Sequence, residues 1–501
     1  MKIIRTHLMN PEDFTDFERE MVYNGLDCCV TRDVFNALRP QLDEVTSSTY
    51  SLSLSLQAPT IEMRCRGVLI DQYRKSEVID EYFEILDRLE RQLEKIVYEG
   101  VGMESFNWRS HRDLQRLFYT ELGLPPIKKS GRPTTDRSAR ERLEVYPTAQ
   151  QLVKHINAIT EIGDKISVLK TAIDPDGRIR TSYNIAGTST GRFSSSLSDF
   201  GTGGNLQNIE ESLRSIFISD PGYKFAKCDA KSGESFCVGA IEWNLFHDVR
   251  YLDACESGDP HTAVARIVWP NLPWTGDLKR DKHIAESPFY RHYTYRFMCK
   301  KLGHGSNYGG KPATLASQSR LDLDLVQQFQ PKYFAAFPAH IQWQTWVEET
   351  LHRKGYLTSL LGRKRWFFGR RNDPATLREA IAYDPQSSLR DIVSTAMVRI
   401  WRKNYVTIMM DDHDALTFQY HEADEDRILP IIMKDLIVEV PLAHGRTLRI
   451  PYDCEVGWNK GKYNAETNPN GLKEYHGHDG RKREAAPGIL DRVIRKSNRG
   501  A

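Results

Sequence analysis

No apolar run in this 501-residue chain approaches the ~20 residues that a membrane-spanning helix needs. Its first residues also lack the apolar core of a secretory signal, so a cytoplasmic protein is expected and no membrane partner. The eight cysteines, at 28, 29, 65, 228, 237, 255, 299 and 454, form no Cys-x-x-Cys pair and no Cys/His zinc spacing. Reduced thiols are therefore the expectation. Net charge is scarce too: 69 Lys and Arg against 67 Asp and Glu leave +2, so any polyanion surface must come from local clustering. There is no internal repeat, and low-complexity sequence is confined to 194–204 and the carboxy-terminal stretch.

What is present is length enough for several packed units. From Lys473 to Ala501 eight basic residues face four acidic ones, with few large apolar side chains, which predicts a basic arm. Between Lys75 and Val101, Val78, Tyr82, Ile85, Leu86, Leu89, Leu93, Ile96 and Val97 recur at helical spacing, and a second helical pattern runs from Ala149 to Leu169. The stretch between them carries Lys128, Lys129, Ser130, Gly131 and Arg132. It suits a phosphate clamp, or simply a solvated loop between antiparallel helices. Further on, the apolar run Tyr223–Cys228 reads as a buried strand that ends in Asp229. The runs Val406–Met410 and Leu416–Tyr420 read as a hairpin around the acidic turn Asp411, Asp412, His413, Asp414.

Nucleotidyl transfer needs divalent cations held by hard oxygen ligands beside an anionic phosphate, and two carboxylates delivered by separate strands supply them. Asp229 and Asp414 are the candidates, although each alone is as readily a turn or capping residue. In the segment Tyr295–Gly310, Arg296, Lys300, His304 and Tyr308 recur every four residues and share one helix face. Such a face offers two cations for a triphosphate and two rings for base and sugar; a solvated basic stripe is the plainer alternative. Gly303, Gly305 and Gly309 weaken the helix by about 1 kcal/mol each.

In order along the chain, the motifs resemble family A DNA polymerases, the DNA polymerase I family, from about Thr60 to Lys462. IEMRCRGVLID at Ile61 resembles the lead-in to the palm, and the segment from Phe106 to Asp136 the thumb with a DNA-gripping tip at Lys128 and Lys129. TSTGRFSS at Thr188 and NLQNI at Asn205 look like primer-template segments, which implies nucleic-acid contacts for Arg192, Asn205 and Gln207. DAKSGE at Asp229 is similar to the first catalytic motif, with Ala230 implied among the metal ligands and Glu234 as the residue that excludes a 2′-hydroxyl. GDPHTAVA at Gly258 places His261 near the departing pyrophosphate. The Tyr295 segment resembles the nucleotide-binding helix, with Arg296 and Lys300 on phosphates, His304 beside the nucleotide and Tyr308 at the template base. FPAHIQWQTWVEETLHRKGYLTSLLGRKR at Phe337 matches in order too. In DPQSSLRD, Gln386 falls where the family reads the primer minor groove. HDAL resembles the second catalytic motif, with His413 at the DNA, and PYDCEVGWNKG at Pro451 the closing palm strand.

The resemblance implies an α+β right-hand fold of palm, fingers and thumb, with an antiparallel palm sheet. Its divisions are an exonuclease remnant (1–45), palm lead-in, thumb and primer-template segments (46–220), palm (221–250), fingers (251–385), palm (386–463) and a basic flexible tail (464–501). It implies template-directed extension of a primer by dNTPs, in replication or repair, with two Mg²⁺ ions for which Mn²⁺ can substitute. A catalytically inactive DNA-binding relative and a single-subunit RNA polymerase are the alternatives, and Glu234 argues against the second. The sequence departs from the family at His304, usually Phe or Tyr, at Ala415, usually Glu, and at Ala382, usually Asn, and its loop before Asn205 is longer. YNGLDCCVT resembles the last motif of a 3′-5′ exonuclease, with Tyr23 and Asp27 four apart on a helix that also carries Leu26, Val30, Val34 and Leu38. Only 22 residues precede Tyr23, so the expectation is a chain that does not proofread alone; its helix is either a vestige packed against the palm through its apolar residues or the docking site of a separately encoded exonuclease subunit. A phage-like source, acting in a bacterial cell, is the accompanying impression.

Overall fold

The computed structural model describes residues 10–290 and 293–476. Helix α1 (Asp16–Leu38) opens on a capping box, in which the Thr15 hydroxyl takes the Glu18 amide and the Glu18 carboxylate takes the Thr15 amide. It buries none of its residues, and Leu26, Val30, Val34 and Leu38 are all exposed. Helix α2 (Gln72–Val101) starts at Asp71, whose carboxylate accepts the Arg74 amide at 2.9 Å, and stops at Gly102, whose φ of 74° is left-handed. Its stripe of Val78, Leu86, Leu93 and Val97 is buried, and it packs along α3 (Pro147–Leu169), which buries Leu152, Val153, Ile156 and Ile159. Each such aliphatic stabilises the pair by about 1.5–3 kcal/mol. Between the two helices the basic loop closes as a hairpin, Lys128–Lys129 against Arg132–Pro133. Ser130 and Gly131, both at positive φ, make the tight turn that matches strand twist.

Strand β1 (Tyr223–Ala230) leads into α4 (Gly233–Phe246), followed by α5 (Arg250–Glu256) and α6 (Pro260–Val268). Then come α7 (Tyr295–Met298), a wide π turn at Cys299–Gly303, and α8 (His304–Asn307). Helices α9 (Leu323–Ala336), α10 (Ala339–Lys354) and α11 (Pro374–Lys403) complete the helical layer. Strands β2 (Thr407–Asp411), β3 (Ala415–His421), β4 (Tyr452–Gly457) and β5 (Lys473–Glu474) join β1 in a five-stranded antiparallel sheet of order β2-β3-β1-β4-β5. Phe225, Ala226, Cys228 and Ala230 are buried because β1 is the central strand, with neighbours on both edges.

Helix α11 runs unbroken across 385 and 386 despite Pro385; its capped start at Asp373 and the burial of its residues on both sides of the proline hold it as one helix. In the first part of the expected tail, from 464, Leu472 is buried and Lys473–Glu474 pairs with Glu455 and Val456 of β4. The part of that tail beyond 476 lies outside the described residues. Among the described residues no helix is long and apolar enough to cross a membrane.

Candidate active site

The sheet register brings the two candidate aspartates together. Asp229 near the end of β1 faces Ala415 of β3 on one side and Asp453 of β4 on the other. Asp414 immediately precedes β3, and its carbonyl accepts the Ala230 amide at 3.1 Å. His413 just before it turns the chain with φ 70°. Asp229 is open on one side, yet burial of the rest of its carboxyl pushes its pKa up to about 6, with Lys227 opposing and Asp414, Asp453 and Asp412 adding to the rise. Burial also raises Asp414, Glu234 adds to it, and Arg192 opposes.

A cation already lies in this cluster. The Arg192 guanidinium donates to both Asp414 oxygens at 3.1 and 3.0 Å and to Glu234 Oε1 at 2.6 Å. Glu234 stands in the first turn of α4, and its other oxygen accepts the Tyr308 hydroxyl. His304 Nε2 is 4.0 Å from that same oxygen, with its ring edge-on to Tyr308 at 5.0 Å. Asp414 and Glu234 share one guanidinium, and their oxygens with those of Asp229 are of the kind a hard divalent cation takes; among the described residues no three acidic, His or Cys side chains are grouped closely enough to hold a metal ion as they stand.

The predicted helical face of Arg296, Lys300, His304 and Tyr308 is interrupted by the π turn. A wider turn there offsets the drift that a four-residue repeat accumulates on a helix of 3.6 residues per turn. Arg296 donates to Asp259 Oδ2 at 2.8 Å, and Asp259 also caps α6 and takes the Thr262 hydroxyl at 3.0 Å. Lys300 is exposed. His261, in the first turn of α6, is lowered to about 4 by burial, with Asp259 opposing and Arg296, Lys300 and His304 adding to the fall. At neutral pH it is uncharged and can offer a hydrogen bond rather than a third cation.

Other predicted residues are placed nearby or apart. Asn205 is exposed, and its Oδ1 takes the Ser195 hydroxyl and the Gln207 amide at 2.6 and 3.0 Å. Gln207 is buried with its Nε2 donating to Asp411 at 3.0 Å, so part of its hydrogen-bonding capacity is used beneath the turn. Gln386 is half-buried on α11, and His413 has its Nδ1 buried without a protein partner. Lys128 and Lys129 are exposed on the hairpin, with Lys129 paired to Asp136 at 2.9 Å. Tyr23 and Asp27 are exposed on α1, which packs on none of the site's elements.

The sequence reading missed the residues that fasten the acidic turn. Fully buried Arg390 of α11 donates to Asp411 Oδ2 at 2.5 Å and to the His413 carbonyl at 3.0 Å. Buried Lys460 donates to Asp412 at 2.6 Å. The available signal was the charged pair Arg390 and Asp391 set between Leu389 and Ile392–Val393, since a charge needs a partner wherever it is buried.

A helical layer thus lies on an antiparallel sheet whose central strand and adjoining hairpin turn deliver two carboxylates, with the segment that carries Arg296, Lys300, His304 and Tyr308 beside them. The sequence pattern described as DNA polymerase family A matches residues 76–269 and 283–463, and the chain belongs to that family. It is 27% identical over 478 residues to DNA polymerase I of Chloroflexus aurantiacus, covering 88% of this chain and 46% of that one. With the thermostable DNA polymerase I of Thermus aquaticus it shares 26% over 425 residues, 80% of this chain and 46% of that one. The chain thus spans less than half the length of these curated relatives. Among solved structures, the POL domain of Pol1 from M. smegmatis, in complex with DNA primer-template and dNTP, aligns with a TM-score of 0.69 and 23% identity. That alignment covers 86% of this chain and 74% of that one, and it supports the α+β right-hand fold with its antiparallel sheet.

Proposed function

We propose that this chain is a template-directed DNA polymerase, which extends a primer 3′-hydroxyl with dNTPs by nucleotidyl transfer in replication or repair. The observation that carries the reading is the register that sets Asp229 beside Asp414 under the Glu234–Tyr308 pair. Asp229, Asp414 and the Ala230 carbonyl would hold two Mg²⁺ ions, or Mn²⁺ in their place. Bound there, such ions supply acidification of the primer hydroxyl and neutralisation of charge on the leaving pyrophosphate. Arg192, which bonds Asp414 and Glu234, would release Asp414 for a metal ion and offer its guanidinium to the primer. Arg296 and Lys300 bind the triphosphate, with His261 as a neutral hydrogen-bond donor beside them. Glu234, fixed by the Tyr308 hydroxyl, occupies space that a ribose 2′-hydroxyl would need. Asn205, Gln207, Gln386, His413 and the Lys128–Lys129 hairpin are assigned to primer-template DNA, and the residue ranges given above to thumb, fingers and palm.

Primer extension with a labelled primer, Mg²⁺ and either dNTPs or NTPs tests the reading. Extension with dNTPs alone is expected; equal use of NTPs would favour the RNA polymerase alternative, and binding without extension the inactive one. Lys300→Ala is expected to lower kcat/KM for dNTPs by about 2–4 kcal/mol of transition-state stabilisation, since a charge-assisted phosphate contact is lost. A loss under about threefold would remove Lys300 from the triphosphate.

His304 beside Glu234 gives a second expectation. An imidazole makes hydrogen bonds where a phenyl ring does not. The KM for dNTP, or selection against dideoxynucleotides, should therefore change in His304→Phe. Values unchanged from the wild type would dispose of this role. For Tyr23 and Asp27, the assigned partner is an exonuclease-like sheet in a separately encoded chain, acting in the cytoplasm of the host. Its addition should produce primer shortening that Asp27→Ala abolishes, and shortening that ignores Asp27→Ala would reject a shared site.

A further inference from the structure

A chain of polar groups runs through the otherwise apolar core behind the nucleotide-binding segment. Glu242 on α4 and His340 on α10 are both almost wholly buried, and the Glu242 carboxyl is bonded to His340 Nδ1. His340 Nε2 lies 3.1 Å from the Tyr333 hydroxyl on α9, and that hydroxyl donates to Asn307 Oδ1 at 2.7 Å. Asn307, the last residue of α8, in turn donates through Nδ2 to the Tyr251 hydroxyl at 3.0 Å. Gln344 Nε2 donates to the carbonyls of Ser306 and Asn307, each at 3.0 Å. The residue after Asn307 is Tyr308, whose hydroxyl reaches Glu234 on the same helix α4 that carries Glu242.

The hydrogen-bond directions fix where a proton sits. Tyr333 has one proton and gives it to the Asn307 carbonyl, so toward His340 its oxygen can only accept. His340 Nε2 therefore carries a hydrogen. Nδ1 then either donates to a Glu242 carboxylate or accepts from a Glu242 carboxylic acid; both arrangements leave the pair neutral overall. Burial raises the Glu242 carboxyl, with His340 opposing, and a neutral pair is what an apolar core tolerates.

We propose that Glu242, His340, Tyr333 and Asn307 form a positioning relay, which sets the stance of Tyr308 against Glu234 and thereby determines how tightly and how selectively the incoming nucleotide is held. The proposal rests on the polymerase reading above. Helix α4 grips the nucleotide-binding segment twice, in front through Glu234 and the Tyr308 hydroxyl and behind through Glu242 and the relay. A hydroxyl lost from the rear link frees the end of α8 to rotate and misaligns Tyr308, without touching substrate or metal ligands.

The experiment is single-nucleotide extension on a primer-template, with kcat, KM and the ratio of correct to incorrect insertion, beside thermal melting of the same full-length proteins. Tyr333→Phe keeps the ring that stacks on Phe329 and removes only the hydroxyl. It is expected to raise KM for the correct dNTP about fivefold or more and to lower insertion selectivity, with kcat within about twofold. Glu242→Gln, whose amide can donate to Nδ1 as the acid would, is expected to stay near wild type. Glu242→Leu alone should melt earlier, because it strands His340. Adding His340→Phe should restore the melting temperature and leave KM high, since Tyr333 still lacks its anchor. If KM and melting temperature recover together in that double variant, the network only stabilises the core and the proposal fails. Unchanged KM and selectivity in Tyr333→Phe would also overturn it while leaving the polymerase reading intact. A wild type that extends no primer would bring down both.

Discussion

Asp414→Asn and Asp229→Asn are each expected to abolish primer extension, while affinity for primer-template stays within a few-fold of wild type. An amide keeps the shape of the carboxylate and its place in the register with Ala415 and Asp453, so the DNA surface is left intact. It supplies no negative charge, and a divalent cation held by neutral oxygens gains too little to offset its dehydration. The same pair predicts a stability effect of opposite sign. Asp229 titrates near 6 in the folded protein, above the usual value of 3.8, because burial and the neighbouring acids penalise its charged form. Between about pH 4 and 6 the folded state therefore binds more protons than the unfolded state, and stability contributed by the protonated form is lost as pH rises through that window. At pH 7 to 8 without metal, Asp229→Asn should melt at a higher temperature than wild type. Mg²⁺ should raise the melting temperature of wild type at pH 8, do so less at pH 5, and do so little in the variant. Extension above a small fraction of the wild-type rate in either aspartate variant would take that residue out of the reaction. A lower metal-free melting temperature for Asp229→Asn would contradict the account of its environment.

The parts of this molecule that were legible in the sequence are those governed by local rules. The apolar spacing from Val78 to Val97 gives α2 almost to the residue, because a half-buried helix repeats its stripe every three to four positions. The alternation of Leu416, Phe418 and Tyr420 gives the position of β3, although Thr417 and Gln419 between them are buried as well, where a half-buried strand would expose them. Asp229 and Asp414 were nameable because chemistry restricts the residue types that can serve at strand ends in such an order. Their closeness, however, depends on β1 pairing with β3 across nearly two hundred residues of chain, which no local pattern states. The π turn at Cys299–Gly303 was illegible for another reason. It packs against α6 and α9, and the sequence there shows only a four-residue repeat that an ordinary helix would carry almost as well. Gln207 shows the limit of a motif read by likeness: its amide is committed to Asp411, a partner 204 positions away. Among the described residues, the helix with Tyr23 and Asp27 was legible as a helix but not in its packing, since it buries none of its residues.

Arg390→Met is expected to destabilise the protein by about 3–5 kcal/mol, the cost of leaving one member of a buried ion pair alone. Both partners are fully buried: the guanidinium bonds Asp411 Oδ2 at 2.5 Å and lies 4.0 Å from the centre of the Phe193 ring. Methionine fills much the same space, so the loss measures charge rather than volume. Asp411 then keeps only Gln207 Nε2 at 3.0 Å and the His413 amide at 3.3 Å, both on its other oxygen. The consequence reaches the reaction because Arg390 also holds the His413 carbonyl at 3.0 Å, one residue before Asp414. With that donor gone, the left-handed backbone at His413 keeps only its amide bond to Asp411, and the Asp414 carboxylate is held less firmly beside Asp229. Arg390→Met combined with Asp411→Leu leaves no buried charge and is expected to recover most of the unfolding midpoint while extension stays depressed at least tenfold. Denaturant unfolding and primer extension on the three proteins separate the two effects. A single variant within about 1 kcal/mol of wild type would show that water or a neighbour reaches Asp411 and that the pair is not isolated. A double variant with wild-type extension would show that the turn holds Asp414 without Arg390, leaving the pair a matter of stability alone.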